Sequence, residues 1–269
     1  MPPSKNIALL ILVSVLLNQN SIQAQSVYEL YETKDGALIG LGIPFSMAGF
    51  AFDLSVDSLS ENEIKTASRD NVNKFDRFAT YYYSEKASNW SDILVISCIA
   101  APLTLLIPKK TQNDKGTILV MYAEAILLGT SLPALSKGIF SRFRPFVYNQ
   151  NVTLEKKLSP DAQKSFFSGH TSVAFTAMIF FSTVYAKYYP DSDWRPFIWG
   201  SSIFLASAVG YLRVVAGAHF PSDVITGALV GGLVGYIIPR IHETDSSTSL
   251  MNIGQSPPVQ QIFSLNFNF

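Results

Sequence analysis

The chain reads as an all-α, membrane-embedded helical bundle of about five or six transmembrane helices, on three observations. Its 269 residues are 48% hydrophobic and only 15% charged. Five apolar stretches, 93–107, 117–135, 171–185, 196–215 and 224–238, each approach the roughly 20 residues that cross a bilayer. The separators between them, such as 109–115 and 187–195, are short and polar. A formal net charge of zero leaves no global basic footprint for nucleic acid. The lone cysteine, Cys98, cannot form an internal disulfide.

Taken in order, residues 1–25 read as a signal peptide or short N-terminal apolar segment: Lys5, an apolar run over 7–17, then polar residues and the small Ala24. Residues 26–91 form an N-terminal segment. Within it 37–52 is apolar but carries Gly40, Gly42, Gly49 and Pro44, which weaken a helix and make it a doubtful span. Ser60 and Glu63 fit a capping box, and Phe75, Phe78 and Tyr82 fall near one face of an amphipathic helix. That face lies on a membrane surface with Trp90 at the interface, or packs on the rest of the domain.

The bundle proper occupies 92–241. Gly227, Gly231, Gly232 and Gly235 permit close helix packing in lipid. Glu124, the odd charge in an apolar helix, is expected to make a structural hydrogen bond. Residues 242–269 are a C-terminal tail. Its end alternates Phe263, Leu265, Phe267 and Phe269 with polar residues, a strand period, but one strand closes no barrel. An extended or disordered end is expected there.

Three polar clusters interrupt the apolar pattern: Lys137 to Pro145 (KGIFSRFRP), Ser168 to His170 (SGH) and Arg213 to Asp223 (RVVAGAHFPSD). Together they look like a phosphate site. Lys137, Arg144 and Arg213 bring positive charge, and the Arg forks suit phosphate oxygens. Ser168 and Gly169 precede an apolar helical run, so backbone N–H groups there can meet an anion. His170 and His219, two of three histidines, supply a nucleophile and a proton donor. On a continuous helix Lys137 and Arg144 share a face two turns apart. Between Arg213 and His219 the chain must turn, which Gly217 permits. If Pro221 opens the last helix, Asp223 lies one turn from His219 and can accept a proton from its imidazole, fixing the tautomer. No His/Cys/Asp cluster has metal-ligand spacing.

The pattern resembles the type 2 phosphatidic acid phosphatase superfamily, which includes lipid phosphate phosphatases, class A acid phosphatases and vanadium haloperoxidases. Its signature is Lys, six residues, Arg-Pro; then Pro-Ser-Gly-His; then Ser-Arg, five residues, His, three residues, Asp. Lys137 and Arg144-Pro145, Ser168-Gly169-His170, and Arg213, His219 and Asp223 match it, while Phe167 replaces the Pro and Leu212 the Ser.

The resemblance implies the family's phosphatase core over 92–241. It also implies a metal-independent, cofactor-free phosphoric ester hydrolase acting on a lipid phosphomonoester or diphosphate. His219 forms a phosphohistidine, His170 protonates the departing alkoxide, and Asp223 completes the catalytic set. Lys137, Arg144, Ser168, Gly169 and Arg213 bind phosphate. The segment 146–167, with Tyr148, Lys156, Lys157, Phe166 and Phe167, is expected at the substrate mouth. The same motifs also fit a soluble exported acid phosphatase, a vanadate-dependent haloperoxidase or a non-enzymatic lipid-binding membrane protein. Long apolar helices argue against the first.

The expected location is the cell membrane with the site extracytoplasmic. Lys137, Ser168 and Asp223 share one face, which leaves Lys109, Lys110, Lys115, the 187–195 loop and Arg240 on the cytoplasmic side. Lys156, Lys157 and Lys164 also load the catalytic side. A cleaved signal followed by a spanning 37–52 would put the site inside. The outward placement requires that 37–52 not span, or that the early run not be exported and 37–52 become the first of six helices.

Overall fold

In the computed structural model residues 26–244 are described; their regular structure is helical, with eight α-helices joined by 3-10 helices, turns and loops. The expected signal over 1–25 and the whole alternating stretch 263–269 lie outside these residues. The helices are α1 (Glu32–Ser55), α2 (Glu61–Thr66), α3 (Glu85–Ala100), α4 (Lys115–Ile139), α5 (Leu154–Lys157), α6 (Gly169–Tyr188), α7 (Arg195–Val215) and α8 (Pro221–Ile241).

Each of the five apolar stretches forms a helix. Among the described residues four segments are long and apolar enough to cross a membrane: Glu85–Leu106, Lys109–Ile139, Arg195–Val215 and Pro221–Ile241. They turn large apolar side chains outward, including Ile93 and Ile96 on α3, Phe204 on α7, and Ile225, Leu229 and Leu233 on α8. Exposed Trp194 and Tyr211 mark the two ends of α7, about 26 Å apart at 1.5 Å per residue. That separation suits an aromatic belt at each interface.

Small residues set the helix spacing. Gly227, Gly231 and Gly235 of α8 lie against Ser168, Ser172 and Thr176 of α6, and a Cβ on Gly231 would stand 2.0 Å from the Ser172 carbonyl oxygen. Gly232 faces open space and takes no part.

Glycine and Pro44 do not break α1, which runs unbroken for 24 residues. Instead they let it lie along α4. Gly42 meets Leu127, Gly49 meets Ala134, and Gly138 of α4 meets Phe52. The two helices therefore run in the same direction. Next to them the Ser60–Glu63 capping box is formed, with Glu63 N–H donating to Ser60 Oγ and Ser60 N–H to Glu63 Oε2.

Phe75, Phe78 and Tyr82 do not share a long amphipathic helix. A turn and the 3-10 helix Arg77–Tyr81 carry the chain there, and all three rings are exposed, as is Trp90.

The C-terminal end of α4, the N-terminal ends of α3, α6 and α8, and the C-terminal end of α7 meet on one face. At the other face the Tyr188 hydroxyl donates to Asp114, Lys187 pairs with Glu243 at 2.8 Å, and Tyr28 bridges Glu243. Both ends of the described chain lie there. Glu124 makes no hydrogen bond, contrary to expectation; it is buried 3.4 Å from His242 Nε2, the same nitrogen that Asp35 Oδ1 meets at 2.6 Å.

Candidate active site

Three loops form the catalytic face, and backbone hydrogen bonds stitch them together. In the first, α4 ends at Ile139, so Lys137 and Arg144 do not share a helix. Arg144 instead caps the 3-10 helix Pro145–Tyr148. The break lets the 142–144 stretch pair with the second loop: Arg142 N–H donates to Gln163 O, Ser165 N–H to Arg142 O and Arg144 N–H to Ala162 O, at 2.8–3.1 Å. In the third loop Gly217 has φ +69, where only glycine is unstrained, and its carbonyl accepts from Phe146 N–H at 2.9 Å. A Cβ at Gly217 would also strike the Tyr82 carbonyl oxygen at 2.3 Å.

The expected cations surround the N-terminus of α6. Ser168 caps this helix, its Oγ accepting from Thr171 N–H and its own N–H donating to the Asp223 carbonyl at 3.1 Å, so that Gly169 and His170 are the first-turn amides without an intrahelical acceptor. Lys137 Nζ lies 3.7 Å from where a Cβ of Gly169 would stand. Arg144 is buried and donates to Asp161 Oδ1 at 2.7 Å. Arg213 is buried, with Nη1 3.2 Å from Ser88 Oγ and from Ser91 Oγ, while its Nε has no hydrogen-bond partner. A buried guanidinium with unused donor capacity suits an incoming oxyanion.

The histidines differ from each other. His219 is fully buried, and its Nδ1 donates to the Ser165 carbonyl at 2.7 Å, which leaves Nε2 with its lone pair. Burial, reinforced by the charges of Arg144, Arg213 and Lys137, holds its pKa well below the ordinary histidine value. His170, in the first turn of α6, sits at the open side with Nε2 2.8 Å from Asp92 Oδ1. Burial and the Arg213 charge lower its pKa to about 4, against an upward pull from Asp92.

The Asp223 contact differs from expectation. Its Oδ2 is 3.9 Å from His219 Nδ1, beyond hydrogen-bond reach. That oxygen is already taken by Ser165 Oγ–H at 2.6 Å and Phe220 N–H at 2.9 Å, and Oδ1 receives Arg142. Asp223 therefore clamps the three loops, and the Ser165 carbonyl orients the histidine.

Arg142, Ser165, Asp76 and Asp92 were not singled out by the sequence reading. Arg142 joins Asp223 to Asp76 (2.8 Å) and Ser222 (2.8 Å). Burial alone would raise the Asp76 pKa, but bonds from Ser222, Asn73 and Arg142 outweigh it and lower the value. Ser84, Ser88, Ser91 and Asp92, spaced to share one face at the start of α3, were the available signal for Asp92.

Of the expected mouth residues, Tyr148 packs on Phe220, and Phe166 packs on Phe140 and Phe167. Lys156 lies over Phe146 and, like Lys157, belongs to α5. A cavity of about 390 Å³ runs between α1, α4 and α6. Gly49, Ala134, Pro133 and Val173 line it, and it reaches Lys137 and Gly169.

Residues 118–247 match the model of the PAP2 superfamily. The matched stretch runs from within α4 past the end of α8 and contains every motif residue of the site. Among curated proteins, an undecaprenyl-diphosphatase of Sulfolobus acidocaldarius is 30% identical over 141 residues, 52% of this chain and 61% of that protein. A lipid A 4'-phosphatase of Porphyromonas gingivalis is 24% identical over 151 residues, 55% of this chain and 60% of that protein. The chain thus spans about three fifths of the length of these relatives. The crystal structure of Aquifex aeolicus LpxE is 27% identical and covers 61% of this chain and 92% of that one, with a TM-score of 0.43.

Proposed function

We propose that this PAP2-like core is a membrane phosphatase that hydrolyses a lipid phosphomonoester or diphosphate through a phosphohistidine, with no metal in the reaction. The observation that carries the reading is the largely apolar cavity ending at Lys137 and Gly169, beside buried Arg144, Arg213 and His219. An alkyl chain in that groove places its phosphate among the cations. The two curated relatives are named for a lipid diphosphate and a lipid phosphate, in keeping with this chemistry.

In the first step His219 Nε2 attacks phosphorus, and the bond to the leaving oxygen breaks. His170 delivers a proton to that oxygen, and the Nδ1–H bond to Ser165 stabilises the positive charge on the imidazole. Water, losing its proton to His170, then attacks the phosphohistidine and regenerates His219. Lys137, Arg144, Arg213 and the Gly169 amide hold the equatorial oxygens throughout, while the Ser168 N–H, expected to join them, is given to the Asp223 carbonyl at 3.1 Å.

The decisive experiment is trapping. Labelled substrate quenched on the wild type should give an acid-labile, base-stable phosphoenzyme that His219→Ala cannot form, with turnover abolished. A variant retaining most activity would exclude His219 as nucleophile. Vanadate, a phosphate mimic, should inhibit, and a peroxide and halide assay with vanadate distinguishes the haloperoxidase reading.

We place the site extracytoplasmic in the cell membrane. α4 ends at the catalytic face and α7 starts at the other, so the 171–185 stretch of α6 makes the return crossing. Since α1 runs parallel to α4, it becomes the first of six crossings and Ser26 starts on the cytoplasmic side. This is the arrangement in which the early apolar run is not exported. The short loops with Lys109, Lys110, Lys115 and Arg195 suit the cytoplasm. The catalytic face also carries many basic residues, but Arg142, Arg144 and Arg213 are committed to the site. In a Cys98→Ala background, an impermeant thiol reagent on intact cells should label Tyr148→Cys and spare Asn113→Cys; the reverse pattern inverts the topology.

A further inference from the structure

At the end of the bundle opposite the phosphate site, Asp35 of α1, Glu124 of α4 and His242 just beyond α8 converge, all buried, with one ligand atom from each lying within 4.8 Å of the others. Glu124 is 13 residues from Lys137 along α4, about 20 Å at 1.5 Å per residue. The cluster is therefore separate from the phosphatase chemistry.

Its hydrogen bonding is incomplete in an informative way. His242 Nδ1 faces the Ile238 carbonyl at 2.8 Å, an acceptor only, so Nδ1 carries a proton. The other nitrogen, Nε2, points at two carboxylates: Asp35 Oδ1 at 2.6 Å and Glu124 Oε2 at 3.4 Å. A proton on Nε2 satisfies Asp35 alone. Both Glu124 oxygens then remain buried without a hydrogen-bond partner, at 1% exposure, and the cluster keeps a net charge of −1. Burying an unsatisfied carboxylate is costly. Lys34, nearby in sequence to Asp35, is turned to the Ile241 carbonyl.

A divalent cation resolves both deficits. It accepts the Nε2 lone pair and one oxygen from each acid, and with two carboxylates and a neutral imidazole the site becomes neutral. An imidazole whose second nitrogen donates to a backbone carbonyl is the usual arrangement of a ligating histidine. With metal–ligand bonds of about 2.0–2.2 Å, tetrahedral ligand atoms stand about 3.4 Å apart; the His242–Glu124 spacing is already 3.4 Å, and Asp35 need only draw back from its 2.6 Å contact with His242 to admit the ion.

We propose that Asp35, Glu124 and His242 bind a divalent first-row cation of the zinc or manganese class, a structural clip fastening α1 and the end of α8 to α4. One nitrogen and two oxygen donors fit such ions better than softer or larger ones.

The test uses the full chain, purified without a histidine tag in detergent, stripped with chelator, equilibrated with Zn²⁺ or Mn²⁺ and desalted. Elemental analysis should find about one ion per chain, and the ion should raise the thermal unfolding temperature. Glu124→Gln should weaken binding at least about ten-fold and remove the thermal shift. His242→Gln is the second variant, in case the first folds poorly, and circular dichroism checks folding of both. The proposal is overturned by a wild type that retains no ion, or by variants that retain as much as the wild type. Phosphoenzyme formation by folded Glu124→Gln separates this outcome from failure of the phosphatase reading.

Discussion

Asp92→Asn tests how the proton donor is tuned. Asp92 Oδ1 is 2.8 Å from His170 Nε2 and 3.8 Å from Arg213 Nη1, and it acts against the burial and Arg213 charge that bring the His170 pKa to about 4. Asp92 is half exposed and His170 a third exposed, so the pair is screened by solvent and worth about 0.2–1 kcal/mol. At 1.36 kcal/mol per pKa unit, removing the charge lowers the His170 pKa by up to about 0.7 unit. Above that pKa the protonated fraction falls by about 1.5- to 5-fold. The assay compares an alkyl phosphate, whose leaving oxygen needs a proton, with p-nitrophenyl phosphate, whose leaving group does not. kcat/KM, which reads only the steps up to phosphoenzyme formation, should fall by that factor for the alkyl substrate only, and its pH limb belonging to His170 should move toward acid. His170→Ala should cost the alkyl substrate about 10²–10⁴-fold, the span of general acid catalysis. Equal losses on both substrates, or a limb displaced toward base, would refute the assignment of His170 as acid.

Three further predictions concern fold, pH and substrate. Gly231→Ala drives a methyl against the Ser172 carbonyl and should lower stability by about 1–3 kcal/mol or more, whereas Gly232→Ala, facing open space, should be near neutral; thermal unfolding of the two variants decides. His219 and His170 both have lowered pKa values in the folded state, so below about pH 6.5 the unfolded chain binds protons that the folded chain refuses. Stability should therefore be intact above that pH and fall toward pH 4, by up to about 1.4 kcal/mol per pH unit for each histidine, with a shallower fall in His219→Gln. Thr130→Trp fills the cavity between α1, α4 and α6 away from the cations. It should raise KM for a lipid phosphate while sparing p-nitrophenyl phosphate, and equal effects on both would remove the cavity from the substrate's path.

Features encoded by local chemistry were legible in the sequence. Apolar length marked the helices, Pro221 opened α8, Gly217 turned the chain at φ +69, and Ser60 with Glu63 capped α2. Features that depend on which partner a buried group finds were not. The spacing of His219 and Asp223 allows a direct bond across one helical turn, yet a carboxylate at 0% exposure must fill several acceptor sites at once. Ser165, Phe220 N–H and Arg142 fill them, one donor from each catalytic loop. The same reasoning explains Glu124. From sequence it was one acid in one helix, and only the packing of α1 beside α4 brings Asp35 and His242 to it. Motif spacing locates the residues that meet the substrate, because the substrate fixes their geometry. The residues that hold them are chosen by burial, which demands a full set of donors and leaves open which part of the chain supplies each one.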